Sequence, residues 1–384
     1  MKPRIATLAL AAVASIGLAG TAMAGTKVGL LLPYSGTYAA LGNEITDGFN
    51  LALQVAGRTD DFEIIREDTE VKPPVGLAKA RKLVLENKVD VIAGIVSSGV
   101  LGALRDFIDG AQVPLIVANA GNDKATGEAC SRYITRVSFS NGQVNRPMGP
   151  WMAAQGIKKV YTLAPDYAAG RQMIAAFTKA FTAAGGEIVG GEFTPFRKTS
   201  DFGPYLANAK ASGAEAIYSF YAGGEAISFV KQYGSFGKEL PLYGAGWLTS
   251  PLYVKAEGDA AVGVTTALNY VPTLDTPENK AFVMAFNDAY GRTPSEFAVQ
   301  GYDAAMVLMA AVDSGAEGRE ALAAALPRVS YTGPRGPLEI DPKTNNIVQN
   351  IYIFKTVKDG DALTQQVLAT VDSVRDDPQG CKLQ

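Results

Sequence analysis

Histidine is absent from this sequence of 384 residues. Its absence excludes a Ser-His-Asp triad, a Cys-His catalytic pair and a zinc site with histidine ligands. Carboxylates and lysines could still perform acid–base chemistry, but the most frequent acid–base side chain is missing. We therefore expect a protein that is not an enzyme, with no catalytic residues, no metal site and no cofactor.

Apolar runs long enough to cross a membrane are absent as well, because none reaches the about 20 residues that a bilayer requires. A shorter run from Ile5 to Leu18 follows the basic residues Lys2 and Arg4 and precedes Ala22-Met23-Ala24. A basic start, a short apolar stretch and an Ala-x-Ala end are typical of a secretory signal peptide. The sequence predicts secretion with cleavage after Ala24, and a membrane anchor is the disfavoured alternative.

Basic residues are not in excess. Loss of residues 1–24 would leave 33 Lys and Arg against 38 Asp and Glu, a net charge of −5. This balance argues against nucleic acid or an anionic membrane surface as the main partner. The length favours two domains of about 150 residues each, and we expect a monomer.

Cysteine is scarce, with only Cys130 and Cys381 present. In an oxidising compartment a single pair tends to form a disulfide. Two unrelated thiols are the alternative, but an unpaired thiol in the polar tail around Cys381 would be a liability. The sequence therefore predicts a Cys130–Cys381 bridge that holds the C-terminus in place.

Strand and helix patterns alternate along the chain. In the first part, strands are predicted at 26–32, 62–68, 89–95 and 114–119, and helices at 43–57, 74–88 and 99–110. In the second part, strands are predicted at 159–165, 187–193, 214–221, 240–245 and 262–269, and helices at 169–184, 201–212, 224–236 and 249–257. Strands separated by helices of this length indicate parallel sheets with right-handed crossovers.

The last part of the chain is rich in helix and then in strand. Thr276-Pro277-Glu278 has the composition of a helix start, and helices are also predicted at 295–314 and 318–327. Strands are predicted at 337–341, 350–357 and 365–371. These pieces are too few for a third sheet, so the sequence predicts an α/β fold with two doubly wound units. Open α/β sheets bind ligands beyond the carboxyl ends of their strands, so two facing sheets predict a cleft.

Several short segments occur in an order and spacing shared with one family. They are Val28-Gly29-Leu30-Leu31-Leu32-Pro33-Tyr34-Ser35-Gly36, Leu41-Gly42, Val91-Ile92-Ala93-Gly94, Ser97-Ser98, Pro114-Leu115-Ile116, Asp166-Tyr167 with Gly170, and Gly301-Tyr302-Asp303-Ala304. Together they resemble the Leu/Ile/Val-type periplasmic binding proteins of ABC importers, over nearly the whole chain after residue 24.

The resemblance implies a type I periplasmic-binding-protein fold with three hinge crossings, near 138–142, 268–272 and 348–351. Lobe one would comprise residues 25–140 and 271–349, and lobe two residues 141–270 and 350–384. It also implies a periplasmic protein that captures a small carboxylate by hinge closure and delivers it to the membrane permease subunits of an importer.

The family's ligand-binding positions fall on loops after strands. Ser97 and Ser98 match the loop that holds the ligand carboxylate, with Ser98 as the main serine, although a plain helix cap remains the alternative. Asn119, Ala120 and Gly121 match the next binding loop, and a simple turn is the alternative there.

The second lobe offers aromatic candidates. Tyr167 matches a tyrosine that closes over the ligand, with an ordinary surface tyrosine as the alternative. Tyr221 and Trp247 each follow a strand at the same cleft, and either could instead pack in the core. Tyr38 is a further aromatic candidate for ligand binding.

Gly246 departs from the pattern of the amino-acid binders, which place an acidic residue there to pair with the ligand's ammonium. Leu41 departs as well, since those proteins often carry a tyrosine. A buried ammonium without a carboxylate partner would be costly, so the ligand is predicted to be a carboxylate without an amino group, such as a benzoate derivative. An alignment shift of one residue, or Glu225 reaching the site, would weaken this inference, and an amino acid remains the alternative ligand.

Other classes of function fit less well. Gly244-x-Gly246 is only part of a dinucleotide-binding motif, with Thr249 at its third glycine position. The segment around Ser97 does not match the Gly-x-Ser-x-Gly motif of hydrolases. A soluble sensor subunit with the same fold remains open as an alternative.

Overall fold

The structure, a computed structural model, describes residues 25–383. The predicted signal peptide at residues 1–24 lies outside the described residues. Within residues 25–383, no helix is long and apolar enough to cross a membrane.

The first half of the molecule is built on a parallel sheet. Its strands are β1 (Thr26–Leu32), β2 (Phe62–Asp68), β3 (Val91–Gly94), β4 (Leu115–Val117) and β5 (Ile134–Arg136), and its helices are α1 (Ala39–Val55), α2 (Pro73–Arg81) and α3 (Ser98–Ala111). The strand order is β2-β1-β3-β4-β5, all parallel. The apolar side chains of β1 are fully buried, as expected for a parallel strand covered on both faces.

The second half repeats this architecture. Its helices are α4 (Asn141–Asn145), α5 (Met148–Ala154), α6 (Ala168–Ala183), α7 (Gly203–Ala211), α8 (Gly224–Ser235) and α9 (Val254–Glu257), and its strands are β6 (Lys159–Pro165), β7 (Glu187–Thr194), β8 (Ala216–Ser219), β9 (Leu242–Ala245) and β10 (Thr265–Leu268). The parallel strand order is β7-β6-β8-β9-β10. The α/β prediction with two doubly wound units is confirmed.

The last part of the chain completes both halves. Its elements are α10 (Pro277–Tyr290), α11 (Glu296–Asp313), α12 (Gly318–Ala325), β11 (Ser330–Gly333), β12 (Gly336–Asp341), β13 (Asn346–Asp359) and β14 (Ala362–Val374). Thr276 caps α10 by accepting a hydrogen bond from the Asn279 backbone N–H, as its sequence predicts. The long strand β13 pairs with β5 at its start and with β10 further on, so it runs from one sheet to the other.

Residues from the three predicted crossings meet in one buried hydrogen-bonded cluster. Asn269 Nδ2 donates to the Ser138 carbonyl at 2.9 Å and to Gln349 Oε1 at 3.0 Å. Gln349 Nε2 donates to the same Ser138 carbonyl at 2.7 Å. These contacts tie the three chain segments together at the place where the two halves join.

The disulfide between Cys130 and Cys381 is present, with 5.5 Å between the Cα atoms, and the predicted pairing is confirmed. Asp376 also accepts hydrogen bonds from Thr126 Oγ1 at 2.9 Å and Ser140 Oγ at 2.6 Å. The end of the tail therefore contacts the first half of the molecule.

Candidate ligand-binding site

A cavity lies between the two halves of the molecule. It is lined by Tyr38, Leu41, Val96, Ser98, Asn119, Gly121, Phe139, Asn141, Tyr167, Ala169, Met173, Phe220, Ala222, Trp247 and Phe297. Most of these residues follow the carboxyl ends of parallel strands, where open α/β sheets bind their ligands.

The loop between β3 and α3 forms a polar corner of the cavity. Gly94 and Ile95 have φ angles of +128° and +64°, and a left-handed conformation is unusual for a β-branched residue such as Ile95. This turn brings Ser98, the first residue of α3, to the cavity wall with 1% of its surface exposed. The first backbone N–H groups of a helix lack intrahelical partners and attract anions.

Ser98 has a defined hydrogen-bonding arrangement. Asn141 Nδ2 donates to Ser98 Oγ at 3.2 Å, so the hydroxyl hydrogen of Ser98 is free to donate elsewhere. Ser97 precedes the helix as its N-cap, but its side chain makes no capping hydrogen bond. Ser98 rather than Ser97 therefore has both the position and the free donor for an acceptor in the cavity.

The loop after β4 closes the same corner. Asn119 Nδ2 donates to Gln300 Oε1 at 2.6 Å, which fixes the orientation of the Asn119 amide. A Cβ atom at Gly121 would lie 2.5 Å from the Phe139 ring, so only glycine fits at this point of the wall.

Aromatic side chains form the opposite wall of the cavity. The Trp247 ring lies 4.7 Å from the Phe139 ring and 5.7 Å from the Phe220 ring, between centroids. The Tyr167 ring stacks on Phe196 at 4.0 Å and lies 6.4 Å from Phe220. Aromatic pairs prefer such offset and edge-on arrangements, and a flat apolar ring would find similar partners here.

Two tyrosines meet at the cavity from opposite halves. The hydroxyl oxygens of Tyr38 and Tyr167 lie 3.5 Å apart. Burial raises the pKa of both phenols well above the usual value of 10, so both remain neutral hydroxyls at physiological pH. They bring together parts of the chain separated by 129 positions.

Charged side chains are absent from the residues that line this cavity in the described part of the chain. Glu225, the acid considered from the sequence, is not part of the wall. It accepts a hydrogen bond from the Arg197 backbone N–H at 2.8 Å, and burial raises its pKa to about 7. A ligand ammonium would therefore meet no carboxylate, whereas a ligand carboxylate would meet neutral donors and a helix N-terminus.

Seven of the residues predicted from the sequence lie together around the cavity: Tyr38, Leu41, Ser98, Asn119, Gly121, Tyr167 and Trp247. Four do not line it: Ser97, Ala120, Tyr221 and Gly246. Each of these four is the immediate neighbour of a lining residue. The sequence alone did not fix which of the neighbouring residues faces the cleft.

Tyr221 and Gly246 both face the core of the protein instead of the cavity. Tyr221 packs in the core of the second half, 4.6 Å from Phe229 between ring centroids, with its hydroxyl 3.3 Å from Thr194 Oγ1. A Cβ atom at Gly246 would lie 2.6 Å from Leu268 Cβ, so this position faces the core and has no room for a side chain. From this loop, Trp247 is the residue that reaches the cavity.

Eight lining residues were not predicted: Val96, Phe139, Asn141, Ala169, Met173, Phe220, Ala222 and Phe297. Phe220 and Ala222 flank Tyr221, so choosing the other face of that segment would have found them. Phe139 and Asn141 belong to the first predicted crossing, a segment that must border any cleft between the lobes.

Known proteins are similar to this chain in sequence and in fold. The sequence profile of a family described as "Periplasmic binding protein" matches residues 25–361. "Leu/Ile/Val-binding protein homolog 6" of Brucella melitensis is 31% identical over 369 residues, which cover 92% of this chain and 94% of that protein.

Two solved structures are also similar. A solute-binding protein of an ABC transporter from R. palustris, in complex with benzoate, is 39% identical with a TM-score of 0.88, over 94% of this chain and 100% of that chain. A second, from Rhodopseudomonas palustris BisB5 in complex with 3,4-dihydroxybenzoic acid, is 35% identical with a TM-score of 0.87, over 92% of this chain and 98% of that chain.

Proposed function

This chain belongs to the periplasmic binding protein family, and from that premise we propose that it captures a small aromatic carboxylate for an ABC importer. Benzoate and its hydroxylated derivatives are the substrate class. The observation that carries this proposal is a cavity with a neutral polar corner, an aromatic wall and no charged side chain among its lining residues. The benzoate and dihydroxybenzoate found in two similar structures support the same class.

The ligand carboxylate would bind at the polar corner. The Ser98 hydroxyl and the first backbone N–H groups of α3 would donate to its oxygens, and the positive end of the helix would favour its charge. Hydrogen bonds to a charged group contribute about 1.5–3 kcal/mol each. A bound carboxylate therefore needs no arginine or lysine in the wall.

The aromatic ring of the ligand would pack against Trp247, Phe139 and Phe220. Because these side chains are already buried and packed on one another, little side-chain freedom is lost when the ligand binds. An aliphatic amino acid would fill the same space only by burying its ammonium without a carboxylate partner, at a substantial cost.

Binding would favour the closed arrangement of the two halves. Ser98 and Asn119 belong to the first half, while Tyr167, Phe220 and Trp247 belong to the second. Only the closed form lets one ligand contact both groups, so the ligand shifts the equilibrium toward closure. The membrane subunits of the importer would then recognise the closed form.

Capture would take place in the periplasm, after cleavage of the signal peptide behind Ala24. The observations that support this location are the basic and apolar start of the sequence and the family to which the chain belongs.

Calorimetric titration of residues 25–384 with benzoate, 4-hydroxybenzoate and leucine tests the proposal. The protein should bind at least one of the two aromatic acids in the micromolar range or tighter and show no heat of binding with leucine. The name of the Brucella melitensis relative favours leucine as the competing ligand. Tight binding of leucine without binding of either aromatic acid would overturn the aromatic-acid proposal.

A further inference from the structure

Four side chains beside the cavity form a closed ring of hydrogen bonds. Asn141 Nδ2 donates to Ser98 Oγ at 3.2 Å and to Gln172 Oε1 at 2.7 Å. Gln172 Nε2 donates to Asn122 Oδ1 at 3.0 Å, and Asn122 Nδ2 donates to the Ser98 carbonyl at 3.0 Å. The ring thus starts and ends at Ser98, and we call it the amide ring.

The amide ring connects the two halves of the molecule. Ser98 and Asn122 belong to the first half, while Gln172 lies on α6 of the second half, and Asn141 begins α4, which packs on α6. The backbone N–H of Asp123, in the first half, also donates to Gln172 Oε1 at 3.1 Å. Gln172 therefore makes two hydrogen bonds to the first half, through both atoms of its amide.

Gln172 does not line the cavity, although the next residue, Met173, does. Its contribution to binding is therefore indirect. The two side chains that it contacts, Asn122 and Asn141, both contact Ser98. Separation of the two halves would break the ring at Gln172 and at the bond between Asn141 and Ser98.

The direction of the hydrogen bonds gives the ring a chemical effect on Ser98. Because Ser98 Oγ accepts from Asn141, the Ser98 hydroxyl hydrogen is left to donate to another partner, and Ser98 lines the cavity. A hydroxyl that is oriented before binding loses less entropy when it donates to a ligand.

We propose that Gln172 is a positioning residue that couples closure of the two halves to capture of the ligand carboxylate by Ser98. This inference rests on the proposed function, since it deepens the role of the same site. Gln172 would stabilise only the closed form, and through the amide ring it would orient the Ser98 hydroxyl toward the ligand.

The test is a double-mutant cycle with Q172M and S98A, with benzoate as the titrant. Methionine keeps the length of the glutamine side chain but removes both hydrogen bonds to the first half. Q172M should raise the Kd by roughly 10-fold, as expected for two lost hydrogen bonds, and should act mainly by faster dissociation. The effects of Q172M and S98A should be non-additive by a factor of about 3 or more.

Arg197 offers a matched control on another edge of the cleft. Its Nη1 donates to the carbonyl oxygens of Glu70 and Val71 in the first half, at 3.2 and 3.4 Å, so it also joins the two halves but lies outside the amide ring. R197M should weaken binding additively with S98A. Additivity of Q172M with S98A, to the same degree as R197M, would overturn the coupling.

Two further measurements distinguish failure of the Gln172 proposal from failure of the proposed function. The melting temperature of the unliganded Q172M protein should fall no further than that of R197M, because each substitution removes hydrogen bonds between the two halves; a fall several degrees larger would show a purely structural role and overturn the proposal. If the wild type binds neither benzoate nor leucine, the proposed function fails, and small-angle scattering of the unliganded proteins decides the role of Gln172. Q172M should then be the more open of the two, and identical scattering curves would overturn the proposal.

Discussion

Replacement of Phe220 by leucine is expected to weaken benzoate binding, whereas replacement of its neighbour Tyr221 by phenylalanine is expected to leave binding unchanged. Phe220 lines the cavity and contacts the Trp247 ring edge-on, at 5.7 Å between centroids. Tyr221 points the other way, into the core of the second half, where its hydroxyl lies 3.3 Å from Thr194 Oγ1.

The magnitudes follow from these contacts. An aromatic pair contributes about 0.5–1.5 kcal/mol beyond its buried area, so loss of the Phe220 ring should raise the Kd of benzoate by roughly 2- to 10-fold. Loss of the Tyr221 hydroxyl removes one buried hydrogen bond, which should lower the free energy of unfolding by about 0.5–1.5 kcal/mol. The two adjacent substitutions should thus separate binding from stability.

Isothermal titration with benzoate and urea unfolding monitored by circular dichroism measure the two effects on the same samples. Y221F should bind benzoate with the wild-type Kd to within about twofold, because Tyr221 does not line the cavity. A tenfold loss of affinity in Y221F together with unchanged binding in F220L would refute the placement of Phe220 in the cavity wall and of Tyr221 in the core.

Three other expectations can be checked with standard measurements. S98A should raise the Kd of benzoate by roughly 10-fold or more, as for a lost hydrogen bond to a charged group, while S97A serves as its matched control because Ser97 does not line the cavity; equal effects of the two would contradict the role of Ser98. Replacement of Cys130 and Cys381 by serine should lower the free energy of unfolding by up to about 5 kcal/mol for a loop this long, and the melting temperature should fall with it. Reducing agent should lower the melting temperature of the wild type but not that of the double variant. Burial raises the pKa of Glu257 from 4.5 to about 9, so the stability that its neutral form contributes is full below pH 4.5 and is lost as the pH rises toward 9. The melting temperature of E257Q should therefore fall less between pH 5 and pH 9 than that of the wild type, and parallel curves would rule out this effect of burial.

Strands with strong local signals were predictable from the sequence. The bounds of β1, β2 and β6 agree with the predicted ranges 26–32, 62–68 and 159–165. Each of these strands contains apolar residues with turn-forming or charged residues close by. A local pattern of this kind is sufficient to predict a regular strand.

Elements held by distant contacts were not predicted. Strand β5 has only three residues and contains Arg136, which is completely buried and donates to Asn346 Oδ1 at 2.6 Å. Helix α4 has the polar sequence Asn-Gly-Gln-Val-Asn and begins with a capping box of Ser140 and Gln143. Gln143 also reaches the carbonyls of Ile347 and Val374, each at 2.7 Å, and partners so far along the chain leave no periodic pattern.

The candidate site was likewise only partly predictable from the sequence. The loops chosen from the sequence all border the cavity, because parallel topology gathers the carboxyl ends of strands at one edge. It did not distinguish Phe220 from Tyr221 or Trp247 from Gly246, since that choice depends on the side to which each short segment turns. Neither Gly246 nor Trp247 is acidic, so the absence of an acid from this loop does not depend on which of the two residues faces the cavity.

A crystal structure of residues 25–384 grown with benzoate would show directly whether the cavity binds an aromatic carboxylate. We expect one benzoate in the cavity between the two halves, with a carboxylate oxygen within hydrogen-bond distance of Ser98 Oγ and the ring against Trp247. A benzoate whose carboxylate instead pairs with an arginine or lysine, or one bound outside this cavity, would contradict this expectation.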